Sequence, residues 1–286
     1  MRIGTGTNLL DEKGYGRWGE LMYEKLRSHG YMCTDYSMSN TDTFLYNLPE
    51  NEACDFLKKE RSIAENSGIE IFQVHGPWRW PPEDGSVEGR KERMDKMCRS
   101  IRMTAVLGCK YWVVHPLMPF GIHERGTSDA LETYKINIEF MQKLLETAKQ
   151  YDVTICLENM PMAEFSIATP QETGDFVRKI NDDNFKMCLD TGHVGTFDEL
   201  KIGDEVRKLG NLIKVLHVHD TMQNKDLHLF PYQGITDWSD FAKSLREVNF
   251  DGVFSLETKP PAQLCDSVYE QMSILYYKIA DGIING

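Results

Sequence analysis

The run Tyr111-Trp112-Val113-Val114 is apolar throughout and is followed at once by His115. A strand with one face in water alternates apolar and polar residues, so an unbroken run indicates a strand that is buried on both faces, as in a parallel sheet. The run 71–74, Ile-Phe-Gln-Val, is similar and is also followed by a histidine. These two runs therefore predict neighbouring units of a parallel α/β structure.

Short apolar segments of this kind recur outward from this run along the whole chain. They predict eight strands, near residues 2–7, 31–36, 69–75, 110–115, 152–158, 185–190, 212–219 and 252–257. Apolar residues at helical spacing lie between several of them, for example in 94–105 and 140–148, and Thr169-Pro170-Gln171-Glu172 is typical of a helix start. Eight strand–helix units in 286 residues favour a closed (β/α)8 TIM barrel with eight parallel strands over an open sheet. No linker or change in composition divides the chain, so we expect residues 1–286 to form a single domain.

Composition and charge restrict the class of partner. The formal net charge is -12, which disfavours binding to an extended phosphate backbone. Seven cysteines form no Cys-x-x-Cys pair, and Cys33, Cys109, Cys156 and Cys188 lie in apolar runs, so we expect buried, reduced thiols in a cytoplasmic protein. The N-terminal residues lack the apolar core of a signal peptide, and no segment is long and apolar enough for a membrane span.

Metal-competent side chains follow the predicted strands at their carboxyl ends, where a barrel forms its active site. They are His75, His115, Glu158, Asp190 with His193, His217 with His219, and Glu257. The last four strands each end in a carboxylate or imidazole, and such groups are costly to bury without partners. A divalent cation at the barrel mouth would be one such partner. A mixed set of carboxylate and imidazole ligands suits Mn²⁺, Mg²⁺, Co²⁺ or Zn²⁺.

Each residue of this set also has a purely structural interpretation. His75 could hydrogen-bond a loop carbonyl, His115 could close a turn with Pro116, and Asp190 could cap a turn. Of His217 and His219, one is expected to be a ligand and the other to support it. Asp226 and His228, two residues apart on the following loop, would as a lone pair be solvated, and His29 and His123 are interpreted as surface residues.

Nucleophilic and dinucleotide-binding chemistry find little support. The chain has no Gly-x-Ser-x-Gly elbow, no Walker loop and no Gly-x-Gly-x-x-Gly. The segment 77–90 is rich in proline, glycine and charge and is long enough for an active-site lid. Its Trp78-Arg79-Trp80 could close over a sugar ring or could be simple packing.

Eight short motifs, in order, resemble one family. They are Val74-His75-Gly76-Pro77, Val114-His115-Pro116, Leu157-Glu158-Asn159, Leu189-Asp190-Thr191-Gly192-His193, Leu216-His217-Val218-His219-Asp220, Asp226-Leu227-His228, Gly234-Ile235-Thr236-Asp237-Trp238 and Leu256-Glu257-Thr258. The sequence resembles the xylose isomerase-like barrel superfamily. That superfamily holds sugar phosphate isomerases and epimerases, tagatose and psicose 3-epimerases, inosose dehydratases, hydroxypyruvate isomerases and endonuclease IV.

The resemblance implies roles for individual residues. Glu158, Asp190, His217 and Glu257 match the family's four metal ligands, and His193 matches an imidazole that contacts substrate in the epimerases. The residues that match the remaining ligands of the three-zinc cluster in endonuclease IV are His75, His115, Asp226 and His228. The chain departs from the family after Asp-x-His, where the usual glycine-rich turn is replaced by Leu229-Phe230-Pro231-Tyr232-Gln233-Gly234.

These residues lead to one favoured hypothesis, an isomerase or epimerase of a small sugar, sugar phosphate or related polyol. One divalent ion, with Mn²⁺ favoured over Zn²⁺, Mg²⁺ or Co²⁺, would stabilise an enediolate, while Glu158 and Glu257 act as acid and base and His193 orients a hydroxyl. Around the ligands, His75, His115, His219, Asp226, His228 and Trp78 are expected to bind substrate or support the site. The expected partner is a small-molecule sugar rather than nucleic acid or membrane, and a homodimer is the default oligomer.

Three alternatives stay open on the sequence. The first is a zinc phosphodiesterase of abasic DNA like endonuclease IV, since all nine candidate ligands are present. The second is an inosose-type dehydratase, which shares the first chemical step. The third is a sugar-binding barrel without catalytic activity, which the pair of glutamates disfavours.

Overall fold

A computed structural model describes residues 1–11, 18–39, 44–82 and 84–286 of the chain. Eight of its strands form one parallel sheet: β1 Arg2–Gly6, β2 Cys33–Ser37, β3 Glu70–His75, β4 Tyr111–Val114, β5 Thr154–Glu158, β6 Phe185–Asp190, β7 Ile213–His217 and, after a hairpin, β10 Val253–Leu256. The hairpin is antiparallel and consists of β8 Asp220–Met222 and β9 Lys225–Leu229.

The parallel sheet is closed into a barrel. Its strand order is β10-β1-β2-β3-β4-β5-β6-β7, and the two ends of this order meet through a parallel bridge between Val218 and Leu256. The amide of Val218 donates to the carbonyl of Ser255 at 2.8 Å, and the amide of Glu257 donates to the carbonyl of Val218 at 2.9 Å. The predicted (β/α)8 TIM barrel is therefore confirmed.

Unbroken apolar strands follow from burial on both sides. Val113 points to a small inner cluster with Cys156, Cys188 and Val215, while Trp112 belongs to the large core outside the barrel. Alternate residues of one strand thus fill two different apolar regions, which explains why β4 has no polar face. The four cysteines expected to be buried are buried, and all seven are free.

Helices connect the strands, and most of them pack on the outside of the barrel. They are α1 Glu20–Ser28, α2 Phe44–Asn47, α3 Glu50–Asn66, α4 Val87–Val106, α5 Ser128–Gln150, α6 Pro170–Ile180, α7 Thr191–Gly195, α8 Ile202–Leu209, α9 Trp238–Glu247 and α10 Asp266–Asn285. The predicted start of α6 is confirmed as a capping box, in which Thr169 and Glu172 satisfy each other's amides. Within the described part of the chain, no helix has the length and apolarity that a bilayer crossing requires.

Two predicted boundaries were wrong. The seventh strand was predicted to reach residue 219 but ends at His217, because the chain turns there into the β8–β9 hairpin. The loop predicted over 77–90 ends earlier, since the Ser86 side chain accepts a hydrogen bond from the Gly89 amide and starts α4 at Val87. Residue 83 of that loop lies outside the described residues. The lid function of the loop stays a prediction.

Candidate metal centre and active site

Four of the predicted site residues lie together at the carboxyl end of the barrel. Glu158, Asp190 and His217 are the last residues of β5, β6 and β7, and Glu257 directly follows β10. One ligand atom from each lies within 4.8 Å of the others. The first three side chains are almost fully buried, and Glu257 is partly exposed. The closure of the barrel therefore brings together residues that are far apart in the sequence. Glu158 and Glu257, for example, are 99 positions apart.

His217 is at the centre of this cluster. Its Nδ1 lies 2.9 Å from Oε1 of Glu158 and 3.1 Å from Oε2 of Glu257. Burial alone would lower the pKa of His217, but the surrounding acidic groups, Glu257 and Glu158 among them, outweigh burial and raise the pKa well above its usual range. Burial would likewise raise the pKa of Glu158, yet His217 and His115 hold it well below its usual range. A cation is thus favoured at the point where these groups meet.

The cluster fits a divalent metal ion. Three carboxylates and one imidazole supply oxygen and nitrogen ligands of the kind that Mn²⁺, Zn²⁺ or Mg²⁺ accept. Oε2 of Glu158 and Oε2 of Glu257 are buried, and neither accepts a well-aligned hydrogen bond, although an imidazole nitrogen lies 3.1 Å from each. Buried carboxylate oxygens that are incompletely satisfied are costly, and coordination of an ion would satisfy them.

His75 and His115 approach the same glutamate from the other side. Their Nε2 atoms lie 3.7 and 3.1 Å from Oε2 of Glu158, and the two imidazole rings contact each other edge to face. Burial, and next the proximity of His115, lower the pKa of His75. A neutral imidazole is the form that binds a metal or accepts a hydrogen bond. The two oxygens of Glu158 therefore face two different sets of imidazoles.

His193, from α7, connects the cluster to the hairpin. Its Nδ1 lies 2.7 Å from the carbonyl of Asn159 and donates to it, so Nε2 is directed to Oδ2 of Asp226 at 3.4 Å. Burial alone would lower the pKa of His193, but Asp190 and Asp226 raise it to about 9. These carboxylates therefore favour the imidazolium form of His193, in which both ring nitrogens carry a proton.

Asp226 and His228 belong to β9 and not to an irregular loop as predicted. Hairpin formation turns both side chains toward the barrel, where Nε2 of His228 lies 3.6 Å from Oδ2 of Asp226. Despite the opposing effect of burial, Asp226 raises the pKa of His228 to about 10, and the two histidines hold the pKa of Asp226 far below its usual range. A strand pairing thus delivers two further ligand-type residues to the site.

His219 contacts Asp190 and lies outside the four-residue cluster. It is fully buried, its Nε2 lies 3.0 Å from Asp190, and its ring stacks on His228 with 4.1 Å between centroids. Of the two histidines in His217-Val218-His219, the first lies among the candidate ligands and the second supports one of them. Their roles in metal binding stay predictions.

A cavity of about 420 Å³ opens onto these side chains. One wall is polar and is formed by His75, His115, Glu158, His193, Asp226, His228 and Glu257. An apolar wall is formed by Trp78, Trp80, Pro82, Pro116, Met118, Met160, Pro161 and Met162. Trp78 lies beside His115 with 5.8 Å between ring centroids. Trp78 thus lies next to the candidate site, and its role in substrate binding stays a prediction.

Several residues of the site were not anticipated. Asp35 and Gln73 extend the hydrogen bonds of His217 inside the barrel, and Asn159 exchanges two hydrogen bonds with the backbone of Asp190. Asp220 is fully buried and accepts hydrogen bonds from five donors, four amides in 221–236 and the indole of Trp238. Their position in the sequence could have indicated them, since Asp35, Gln73, Asn159 and Asp220 each lie at or near the carboxyl end of a predicted strand.

The interpretation of His29 as a surface residue was wrong. Its side chain is buried, and its Nδ1 lies 2.9 Å from Oγ of Ser273 in α10. The histidine is covered because α10 packs across the N-terminal part of the barrel. His123 is exposed, as expected.

The model of one protein family, the xylose isomerase-like TIM barrel, matches residues 23–272 of the chain. The chain belongs to this family. The match covers β2 to α10 and thus includes every residue of the candidate site.

Proteins with similar sequences include an uncharacterised protein and enzymes with two different activities. An uncharacterised protein of Methanocaldococcus jannaschii is 25% identical over 90% of this chain and 86% of its own length. A probable endonuclease 4 of Mycoplasmopsis agalactiae is 30% identical over 63% of this chain and 66% of its own length. A D-psicose 3-epimerase of Enterocloster bolteae is 30% identical over 41% of this chain and 37% of its own length. The match thus spans about two thirds of this probable endonuclease 4 and little more than a third of this D-psicose 3-epimerase.

Solved structures share the whole fold. A D-tagatose 3-epimerase-like protein aligns over 100% of this chain and 98% of its own, with a TM-score of 0.76 and 24% identity. The zinc-bound IOLI protein aligns over 99% of this chain and 98% of its own, with a TM-score of 0.71 and 18% identity. At these identities the likeness establishes the fold alone.

Proposed function

We propose that the protein is a metal-dependent epimerase or isomerase of a small, unphosphorylated keto sugar. The observation that carries this proposal is the pair Glu158 and Glu257. Both belong to the four-residue cluster, both line the cavity, and each has one buried oxygen that accepts no well-aligned hydrogen bond. Two such carboxylates can take a proton from one position of a substrate and return it at another.

A divalent ion held by Glu158, Asp190, His217 and Glu257 would polarise a carbonyl and stabilise negative charge beside it. In the chain, β6 and β7 separate β5 from β10 in the ring, so the two glutamates approach the cavity from different directions. One of them would remove the proton next to the carbonyl, and the other would return a proton to the resulting enediolate. Nε2 of His193 faces the cavity, with the carboxylate of Asp226 beside it. This imidazole would orient a substrate hydroxyl.

The cavity suits an uncharged ligand. Two arginines line it, and each is paired with a carboxylate: Arg79 with Glu92 at 2.8 Å, and Arg93 with both oxygens of Asp84 at 2.7 Å. A phosphate group would have to compete with these carboxylates for the guanidinium groups. We therefore prefer a sugar without phosphate over a sugar phosphate.

The apolar wall gives the sugar a second surface. Trp78 and Trp80 present exposed indole faces at the cavity, on which the C–H face of a sugar can stack. Hydroxyl groups on the other side would then face His193, Asp226 and the glutamates. A Trp78→Ala change should accordingly raise KM more than it lowers kcat, because the indole would stack on the sugar but has no part in proton transfer.

A substrate screen with added Mn²⁺ tests the proposal. The panel consists of ketoses, aldoses, inososes and their phosphates, and the readout is conversion to an epimer or isomer together with uptake of solvent deuterium. Conversion of at least one unphosphorylated keto sugar is expected. Turnover of the phosphates alone would refute the preference for neutral sugars, and elimination of water from an inosose would identify a dehydratase with the same first step.

A second candidate is a phosphodiesterase that acts on abasic DNA. It is favoured by the additional clusters at the site, namely His75 with Glu158 and His217, and His219 with Asp226 and His228. The net charge of -12 argues against it, since DNA binding requires basic surface. Metal analysis separates the two: we expect about one ion per chain for the sugar enzyme, whereas a content near three with cleavage of abasic DNA would favour the nuclease.

A further inference from the structure

Asp35 connects β2 to the candidate metal centre. The pairing of β2 with β3 shifts register between Thr34 and Asp35, and the shift places Asp35 opposite Gln73. Irregularities of this kind often redirect a side chain near an active site. Oδ2 of Asp35 lies 2.9 Å from Nε2 of His217, inside the barrel and almost completely shielded from solvent.

Gln73 fixes the orientation of this carboxylate. Its amide nitrogen donates to Oδ2 of Asp35 at 2.9 Å and to the carbonyl of Leu216 at 3.2 Å. Leu216 directly precedes His217, so Gln73 connects Asp35 to the same strand that carries the imidazole. Gln73 therefore helps to fix the orientation in which Oδ2 of Asp35 faces Nε2 of His217.

Hydrogen-bond chemistry then assigns the two nitrogens of His217. An ionised carboxylate only accepts hydrogen bonds, so the proton in the contact with Asp35 is on Nε2. The other nitrogen, Nδ1, faces Glu158 and Glu257 at 2.9 and 3.1 Å. A metal ion bound between these glutamates would displace the proton of Nδ1, so Nδ1 is the atom that offers a lone pair to the metal.

We infer that Asp35 is a positioning residue, which holds His217 in the tautomer and ring orientation that present Nδ1 to the metal. The inference rests on the metal site of the proposed function, but not on its substrate or reaction. Carboxylates that hold a metal-bound histidine in this way commonly change metal affinity by about 10–100-fold when they are removed.

Three variants test the inference through zinc affinity, measured by titration calorimetry. Asp35→Leu removes the acceptor and keeps the branching of the side chain at Cγ, and we expect the Kd for Zn²⁺ to rise about 10–100-fold. Asp35→Asn keeps an oxygen that can accept from Nε2 of His217, so a smaller increase is expected. Thr34→Val is the matched control: it removes a buried hydroxyl from the same strand, where that hydroxyl donates to the carbonyl of Thr5 at 2.7 Å, and the Kd should not change.

Nitrogen NMR of the zinc-loaded wild-type protein provides a test that needs no variant. A one-bond proton correlation should appear at Nε2 of His217 and not at Nδ1. A proton on Nδ1 would overturn the inference even if Asp35→Leu failed to fold. Zinc affinity of Asp35→Leu equal to that of Thr34→Val would also overturn it.

These outcomes are distinguishable from failure of the proposed function. A wild-type protein that binds Zn²⁺ but converts no sugar would contradict the proposed function and leave the role of Asp35 intact. Conversely, sugar conversion with unchanged zinc affinity in Asp35→Leu would contradict only the role of Asp35. A wild-type protein that binds no divalent ion would refute both.

Discussion

Nε2 of His219 lies 3.0 Å from Asp190, and both side chains are fully buried. A buried carboxylate needs donors, and Asp190 receives one from this imidazole and a second from the amide of His193 at 2.7 Å. His219 therefore holds Asp190 in the orientation in which its carboxylate faces the other candidate ligands.

Replacement of His219 by Phe tests this role. Phenylalanine preserves the stacking on His228 but removes the hydrogen bond to Asp190, so metal affinity should fall about 10–100-fold. Titration calorimetry with Mn²⁺ or Zn²⁺ measures the change. His29→Phe is the control, since it alters a buried histidine that pairs with Ser273 far from the site. Equal affinities in the two variants would show that His219 has no part in metal binding.

Asp190→Ala should remove metal and activity together while the barrel stays folded. Because Asp190 also caps α7, a loss of stability of about 1 kcal/mol is expected in the metal-free protein. Metal content by mass spectrometry and the circular dichroism spectrum are the measurements. Asp237→Ala, which removes the side chain that caps α9, should lose similar stability and keep its metal. Retention of a full metal equivalent by Asp190→Ala would contradict the ligand assignment.

Metal binding should release protons. The pKa of His217 is raised and that of His193 is about 9, so in the metal-free protein both imidazoles favour the imidazolium form at neutral pH. A metal ion would displace protons from this form. The stability that protonated His193 contributes is fully present below its ordinary pKa of about 6.5 and disappears as the pH rises through about 9. The increase in Tm on metal addition should thus be larger at pH 9 than at pH 6. Calorimetry in buffers of different ionisation enthalpy counts the protons, and a release of zero would contradict the prediction.

The ion pair between Arg93 and Asp84 should be critical for stability. Both side chains are buried, and Asp84 also accepts a hydrogen bond from the amide of Met118 at 2.9 Å. Asp84→Ala leaves the guanidinium buried without a partner, which commonly costs about 3–5 kcal/mol. Urea denaturation measures the loss. The double variant Asp84→Leu with Arg93→Met should be more stable than Asp84→Ala, and the opposite order would show that the charge pair is not the cause.

The sequence predicts most of the barrel and the candidate ligands for one physical reason. Strands buried on both faces give unbroken apolar runs, and a polar residue at the carboxyl end of such a run, such as Glu158 or Asp190, is conspicuous. Parallel closure then brings these ends together whatever their distance along the chain. The strands with apolar runs and the four clustered residues follow from this rule.

The parts that sequence reasoning missed depend on local register and pairing. Asp35 lies in β2, Cys-Thr-Asp-Tyr-Ser, where three of the five residues are polar and no apolar run marks the strand. Its direction depends on the register shift, which leaves no trace in composition. Asp226 and His228 lie on an exposed hairpin strand whose pairing is stabilised by the contacts of Asp220 with residues 221–238. Such contacts are specified only by the folded structure.

The most direct test of proton transfer by the two glutamates is deuterium exchange in Glu257→Gln at saturating Mn²⁺. The amide keeps an oxygen ligand and the shape of the side chain but cannot accept the proton, so turnover should fall at least about a hundredfold. Glu158→Gln should show the complementary loss, and Glu60→Gln, a buried glutamate of α3 outside the site, should be unaffected. We predict that the wild-type protein incorporates solvent deuterium next to the carbonyl of its keto sugar and that each of the two site variants loses this exchange or retains it on one face only. Near-complete exchange in both variants would contradict the two-carboxylate mechanism and point instead to a histidine such as His193 as the base.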